Sequence, residues 1–234
     1  MIKIFRHIRK SLLEENNMGK YFKYAIGEII LVMIGILLAL QVSEWNTNRK
    51  RKQLEVQILK DLHTEFSENK SQLDTTVKYH NKVKSGAEKL IALFPINLKT
   101  INIDSVNEYM SNMRYRYTFN PQQTTINTLI STSTFDLISN VELRSILQRW
   151  TELYKDYREE EIAHTDFQFN HYTPYIMKKR MLTKNGLRNP RVDLNFLTSI
   201  EFENMVRIKR GRILDILGDG TKEVELDQLY QSID

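Results

Sequence analysis

The side chains able to do chemistry are few and scattered. Five histidines stand at His7, His63, His80, His164 and His171. A metal or acid–base centre needs such rings to converge with carboxylates, and no His-Glu-x-x-His or comparable ligand spacing occurs. His164 and His171 could share a helix face near Glu160 and Asp166. Seven residues separate them, about 10 Å along a helix axis, too far to hold one ion unaided. The histidines therefore read as satisfied or exposed. There is no cysteine, which removes disulfides, thiolate nucleophiles and Cys-based zinc sites. Phosphate-cradling glycine loops and the Gly-x-Ser-x-Gly elbow are absent. Glu159-Glu160-Glu161 reads as a solvated acidic turn, since EF-hand spacing is missing. No catalytic residue, cofactor or metal is expected.

The sharpest single group is Glu28, because of what surrounds it. It lies in the run Ala25-Ile-Gly-Glu-Ile-Ile-Leu-Val-Met-Ile-Gly-Ile-Leu-Leu-Ala-Leu-Gln-Val42. A helix from Tyr24 to Val42 is roughly 28 Å long, close to the hydrocarbon thickness of a bilayer. Eleven of those residues are Leu, Ile or Val. Together they favour insertion by roughly 3 to 7 kcal/mol, against at most about 3 kcal/mol for Glu28. Tyr21, Phe22 and Tyr24 precede the run and Trp45 follows it, as interfacial aromatics do. No Ala-x-Ala cleavage pattern follows, so the segment reads as an uncleaved signal anchor. Gly27, Glu28, Gly35 and Ala39 are candidates for packing against a second helix in the membrane. Gly35 to Ala39 is a small-xxx-small pattern, and Glu28 lies two turns before Gly35. The competing expectation is that Glu28 reaches the headgroups on its own.

Charge follows the same division. Residues 1–52 hold ten Lys/Arg against four Glu, a balance of +6, and residues 53–234 balance at −1. The basic character thus belongs to the flanks of the span, where it meets anionic headgroups, and gives no support to nucleic-acid binding. Six basic residues precede the span, and Arg49-Lys-Arg-Lys52 follows it. The bias favours a cytoplasmic N-terminus and an extracytoplasmic C-terminal domain at the inner membrane. The clusters Lys178-Lys179-Arg180 with Lys184, Arg188 and Arg191, and Arg207 to Arg212, read as solvated faces balanced by nearby acids.

The remaining elements are helical. Ile2 to Leu13 places apolar residues on one basic-flanked face, a short amphipathic helix ended by Asn16, Asn17 and Gly19. Leu54, Ile58, Leu62, Phe66, Leu73 and Val77 predict a long helix after the span. Their spacing is mostly four and seven, fitting a bundle better than a coiled coil. Short helices are expected after Asp104-Ser105 and within Thr124 to Thr134. Ser139-Asn-Val-Glu142 and Thr198-Ser-Ile-Glu201 have capping-box spacing. Leu143, Ile146, Leu147, Trp150, Leu153, Tyr154 and Tyr157 form a helical stripe. The aromatic series from Trp150 through Phe167, Phe169, Tyr172 and Tyr175 reads as core. Asn185-Gly186 and Asn189-Pro190 mark a loop, and Gly218-Asp-Gly220 precedes a last helix over Val224 to Ile233. The fold class is all-α: a single transmembrane helix, a long amphipathic helix and an irregular helical bundle. Its divisions are 1–20 (basic juxtamembrane helix), 21–45 (span) and 46–234 (helical domain).

The run from Met18 through Val42, with Trp45-Asn46 and Asn48-Arg49-Lys50, resembles an uncharacterised family of small single-pass bacterial membrane proteins, domain-of-unknown-function family 6090. Phe119 to Trp150, with Asn140-Val-Glu-Leu-Arg144, resembles its second region. The resemblance implies that Gly27, Glu28 and Gly35 belong to the family pattern and brings no activity with it. The expected role is a membrane-anchored interaction module serving as adaptor, scaffold or sensor in the cell envelope. Its expected partners are the bilayer and a second copy or another membrane protein. The alternative is an envelope hydrolase with its site between bundle helices, marked by buried carboxylates converging with His164 or His171.

Overall fold

A computed structural model describes residues 18–180, 186–218 and 225–233, and every regular element among them is helical. The expected amphipathic helix at residues 2–13, and Lys184, Asn185 and Val224, lie outside the described residues. The chain divides into two units, residues 1–57 and 58–234. The first helix, α1 (Met18–Ile91), contributes to both. Gly19, expected in a break before the span, is helical.

In the first unit no described side chain of α1 is buried. Every Leu, Ile, Val and Met from Ile26 to Val42 is 45–65 % exposed. Leu54, expected on the buried face of the following helix, is exposed as well.

In the second unit, α1 from Ile58 onward shares a core with α2 (Ile103–Asn112), α3 (Thr124–Ser131), α4 (Val141–Phe167), α5 (Thr173–Lys179), α6 (Ile200–Leu217) and α7 (Glu225–Ile233). The buried face of α1 carries Leu62, Phe66, Asn69, Leu73, Thr76, His80, Val83, Ala87 and Leu90. These nine positions alternate between steps of four and three, with Glu65 and Gly86 buried beside them, contrary to the spacing expected from the apolar residues alone. Asn69, Thr76 and His80 hold core positions, so the alternation is hidden from any count of apolar residues.

Those polar positions have a structural task. The chain between α2 and α3 is extended, and its backbone groups need partners that a helix would supply internally. Polar side chains of α1 provide them. Gln72 Oε1 accepts from Asn120 N at 3.1 Å. Asn69 both donates to the Gln122 carbonyl (2.9 Å) and accepts from Gln122 N (2.7 Å). Glu65 accepts from Thr125 N at 2.8 Å, at the start of α3. Farther along, α2 crosses α1 at Gly86, where a Cβ would stand 2.7 Å from the Tyr109 carbonyl oxygen.

At two helix starts the cap falls one residue past the expected one, and at α2 it falls two residues before Asp104. Asn102 caps α2, accepting from Asp104 N and Ser105 N. Asn140, not Ser139, caps α4 through Leu143 N at 3.1 Å. Ser199, not Thr198, caps α6 through Phe202 N at 3.2 Å. In each case the side-chain oxygen satisfies an N–H that has no partner within the helix.

The buried apolar residues form two clusters, and three helices pass through both. On α1, Leu62 to Val83 belong to one cluster, Ala87 and Leu90 to the other. On α4 the division falls between Tyr157 and Phe167, and on α6 between Val206 and Ile213. Near these transitions each helix buries polar groups: His80 on α1, Glu161 and His164 on α4, Lys209 on α6. A layer of ionisable side chains accompanies the changeover between the two halves of the core.

Candidate functional site

Burial sets the chemistry of this layer. Both Glu161 oxygens accept from Phe119 N at 3.0 Å, which anchors the extended segment to α4. His80 Nε2–H donates to the Tyr117 carbonyl at 2.8 Å and stands 3.8 Å from Glu161 Oε1. The carbonyl can only accept, so the ring proton is on Nε2 and Nδ1 is left without a partner. The His164 ring faces His80 edge-on, centroids 6.3 Å apart, and neither of its nitrogens has a hydrogen-bond partner.

Removal from water disfavours whichever form is charged. It raises the Glu161 carboxyl to about 8, against the weaker pull of Phe119 N–H. It lowers His164 to about 3, helped by the charges of Lys209 and His80. Desolvation also lowers His80, and it brings Lys209 down to about 7. The Tyr157 hydroxyl, near Glu161, is pushed up by burial and by the carboxylate charge. Desolvation therefore pulls every group of the layer toward its neutral form: the carboxylic acid, the two imidazoles and the lysine amine.

Three expectations are corrected here. Glu161 is not in a solvated turn; it is 2 % exposed, inside α4, while Glu159 beside it stays in water. Lys209 is 0 % exposed, although Arg207 and Arg212 around it are solvated as expected. Arg180 is buried while its neighbours Lys178 and Lys179 are exposed. Glu161 and Lys209 are the members of their runs at a core-facing helical position, and Arg180 is enclosed just past the end of α5; which member is enclosed depends on partners far along the chain.

Beyond α4 the helix opens into a π turn at Gln168–Tyr172. Its Thr173 N–H bonds back to the Gln168 carbonyl, and the Gln168 amide donates to Thr173 Oγ1 at 2.6 Å. The extra residue separates the two histidines: His164 is buried and His171 is exposed. Of the aromatic series, Trp150, Tyr157, Phe167, Tyr172 and Tyr175 are buried as expected, whereas Phe169 is exposed beneath the Arg116 guanidinium.

A cavity of about 360 Å³ reaches the layer at Glu161 and is lined also by Phe119, Arg158, Asp166, Phe169 and Asn170. Glu161 and Asp166 thus share a cavity, but neither His164 nor His171 lines it. The convergence expected of a hydrolase is incomplete. Among the described residues no group of three His, Asp or Glu could hold a metal ion.

The candidates in the first unit are arranged differently. Gly27, Gly35 and Ala39 are exposed along α1, and a Cβ added at Gly27 or Gly35 meets nothing. Glu28 is half-buried, Tyr24 is exposed, and the Arg49 guanidinium lies 5.8 Å from the Trp45 ring centre. The most apolar stretch of α1 has a mean hydropathy of 2.4 with none of it buried, long and apolar enough to cross a membrane.

No curated protein and no solved structure matches the chain. A family model does, over residues 28–171. The matched stretch begins at Glu28 and ends in the π turn, taking in His80, Phe119, Glu161, His164 and Gln168. It covers more than half of the sequence, and the chain accordingly belongs to the family of unknown function DUF6090.

Proposed function

We propose that this protein is a single-pass, membrane-anchored helical interaction module of the cell envelope, an adaptor, scaffold or sensor. Residues 21–45 lie in the inner membrane, the basic N-terminal segment faces the cytoplasm, and the helical domain stands outside. The observation that carries the reading is the unbroken outward apolar surface from Ile26 to Val42. Contiguous exposure on this scale is costly in water and is met by a bilayer or another apolar surface. Trp45 with Arg49 at one end supports an interfacial boundary there. The ion-poor face of Glu28, Gly35 and Ala39 supports a second helix as partner inside the bilayer, from another copy or another membrane protein.

Two measurements test it. After alkaline carbonate extraction of cells expressing the full chain, the protein is expected in the membrane pellet; recovery in the soluble fraction would end the proposal. A reporter active only outside the cytoplasm, fused after Asp234, is expected to be active. Activity of a cytoplasm-restricted reporter at the same position would reverse the orientation.

A further inference from the structure

We infer that the second unit carries a binding pocket for a phosphoryl oxyanion, built from Arg114, Arg116, Tyr172 and Thr173 in front of the buried Lys209. The site stands whether or not residues 21–45 cross a bilayer. The pocket has a volume of about 220 Å³, and among the described residues its lining includes Arg114 and Arg116 and no Asp or Glu. Behind it stands a buried lysine with no carboxylate partner among the described residues: Lys209 Nζ donates to Gln168 Oε1 and lies 5.0 Å from the Tyr172 ring centre. Arg180, also buried, reaches Asn107 Oδ1 through Nη2 and leaves Nε without a partner. None of Arg114, Arg116, Arg180 and Lys209 forms an ion pair with a described carboxylate. Of these, Arg180 and Lys209 are buried, and enclosing a cation is unfavourable unless an anion offsets it.

The hydrogen-bond directions agree with the charge. Lys209 can only donate, so it fixes Gln168 with Oε1 inward and its amide toward Thr173. Thr173 Oγ1 accepts that bond, which leaves its own proton to give away. Tyr172 also lines the pocket; it is 1 % exposed, and its hydroxyl has no partner. A buried hydroxyl without a partner calls for an acceptor. Arg114 and Arg180 both lie within electrostatic reach of it. The residues lining the pocket thus include several donors, Arg114, Arg116, Tyr172 and Thr173, and a tetrahedral oxyanion supplies acceptors in several directions at once. The π turn makes this possible by stacking Gln168 over Thr173, which an α-helical register would rotate apart.

The shared chemistry is a phosphoryl group, whether free or on a lipid headgroup. The full chain in detergent micelles is titrated with inorganic phosphate at constant ionic strength, with chloride as reference, following Tm and phosphorus NMR line width. In a parallel arm the full chain is reconstituted in phosphatidylcholine bilayers with or without phosphatidic acid. A saturable rise in Tm with phosphate assigns a free ligand. A rise only with phosphatidic acid assigns a headgroup. Arg114→Gln with Arg116→Gln, both at exposed positions, is expected to weaken the response about tenfold or more. Tyr172→Phe is expected to weaken it by a smaller factor without lowering Tm when phosphate is absent. Silence in both arms, or a response that survives the double arginine substitution, overturns the site.

Discussion

Among the described residues, the apolar side chains of residues 26–42 face outward, whereas the second unit encloses charged and polar side chains along with its apolar core. Each unit departs from the water-soluble norm in the opposite sense. The first departure is written in composition and is visible in any window of the sequence. The second depends on which member of a charged run meets the core, and composition is silent about it. An apolar exterior is explained by an apolar solvent. An ionisable interior has to be explained group by group: Glu161 and His80 by the backbone they bind, Lys209 by Gln168 and the pocket in front of it.

The largest effect that could break this contrast lies in the span. Replacing Ile34 and Leu37 together by Arg costs about 5 to 7 kcal/mol of insertion free energy, as much as the whole run supplies. Carbonate extraction is expected to move the doubly substituted protein out of the membrane fraction. If it stays in the pellet, the outward apolar face is not what anchors the chain.

In the interior, the two ionisable groups should oppose each other in pH. Lys209 has a folded pKa of about 7, below its unfolded value of 10.5. Its cost is therefore full below pH 7 and relieved as pH rises toward 10.5. Glu161 has a folded pKa of about 8 against 4.5 unfolded, so its cost is absent in acid and full above pH 8. Lys209→Met should raise stability by about 2 kcal/mol at slightly acid pH and progressively less in alkali. Glu161→Gln should be near neutral below about pH 4.5 and increasingly stabilising as pH rises to about 8, by an amount of the same order. Urea unfolding across pH measures both, and parallel profiles for the two variants would show that the layer is not desolvated as described.

Smaller effects follow from close contacts. Gly86→Val places a branched side chain against the Tyr109 carbonyl and should cost about 1 to 3 kcal/mol in thermal unfolding. An unchanged Tm would mean that α2 does not cross there. Gly35→Ile should leave the helical domain's stability unchanged and lower self-association in a membrane dimerisation assay. No loss of signal would remove Gly35 from any packing face.

Much of the helix layout was legible: the stripe from Leu143 to Tyr157, the short helix beginning at Thr124, and the last helix before Ile233. The capping residues were displaced by one position because Ser139-Asn140 and Thr198-Ser199 each offer two adjacent candidates with equivalent chemistry. The heptad along α1 was illegible for a different reason. Asn69 binds Gln122, 53 residues away, and Glu161 binds Phe119, 42 residues away. Local spacing carries no mark of such partners, so polar residues at core positions read as surface. The candidate pocket was hidden by the same effect, since Lys209 and Arg180 sat within basic runs that otherwise are solvated.

The changeover between the two apolar clusters has a consequence for how the domain breathes. Cooperative opening spreads where apolar contacts are continuous and stops where they are interrupted. Amides of α4 near Trp150 and those near Phe167 belong to one helix yet are protected by different clusters. In hydrogen exchange they should fall into two isotherms of different denaturant dependence, with the boundary at Glu161 and His164. A single helix would then report two separate opening reactions, joined at a hinge made of protons.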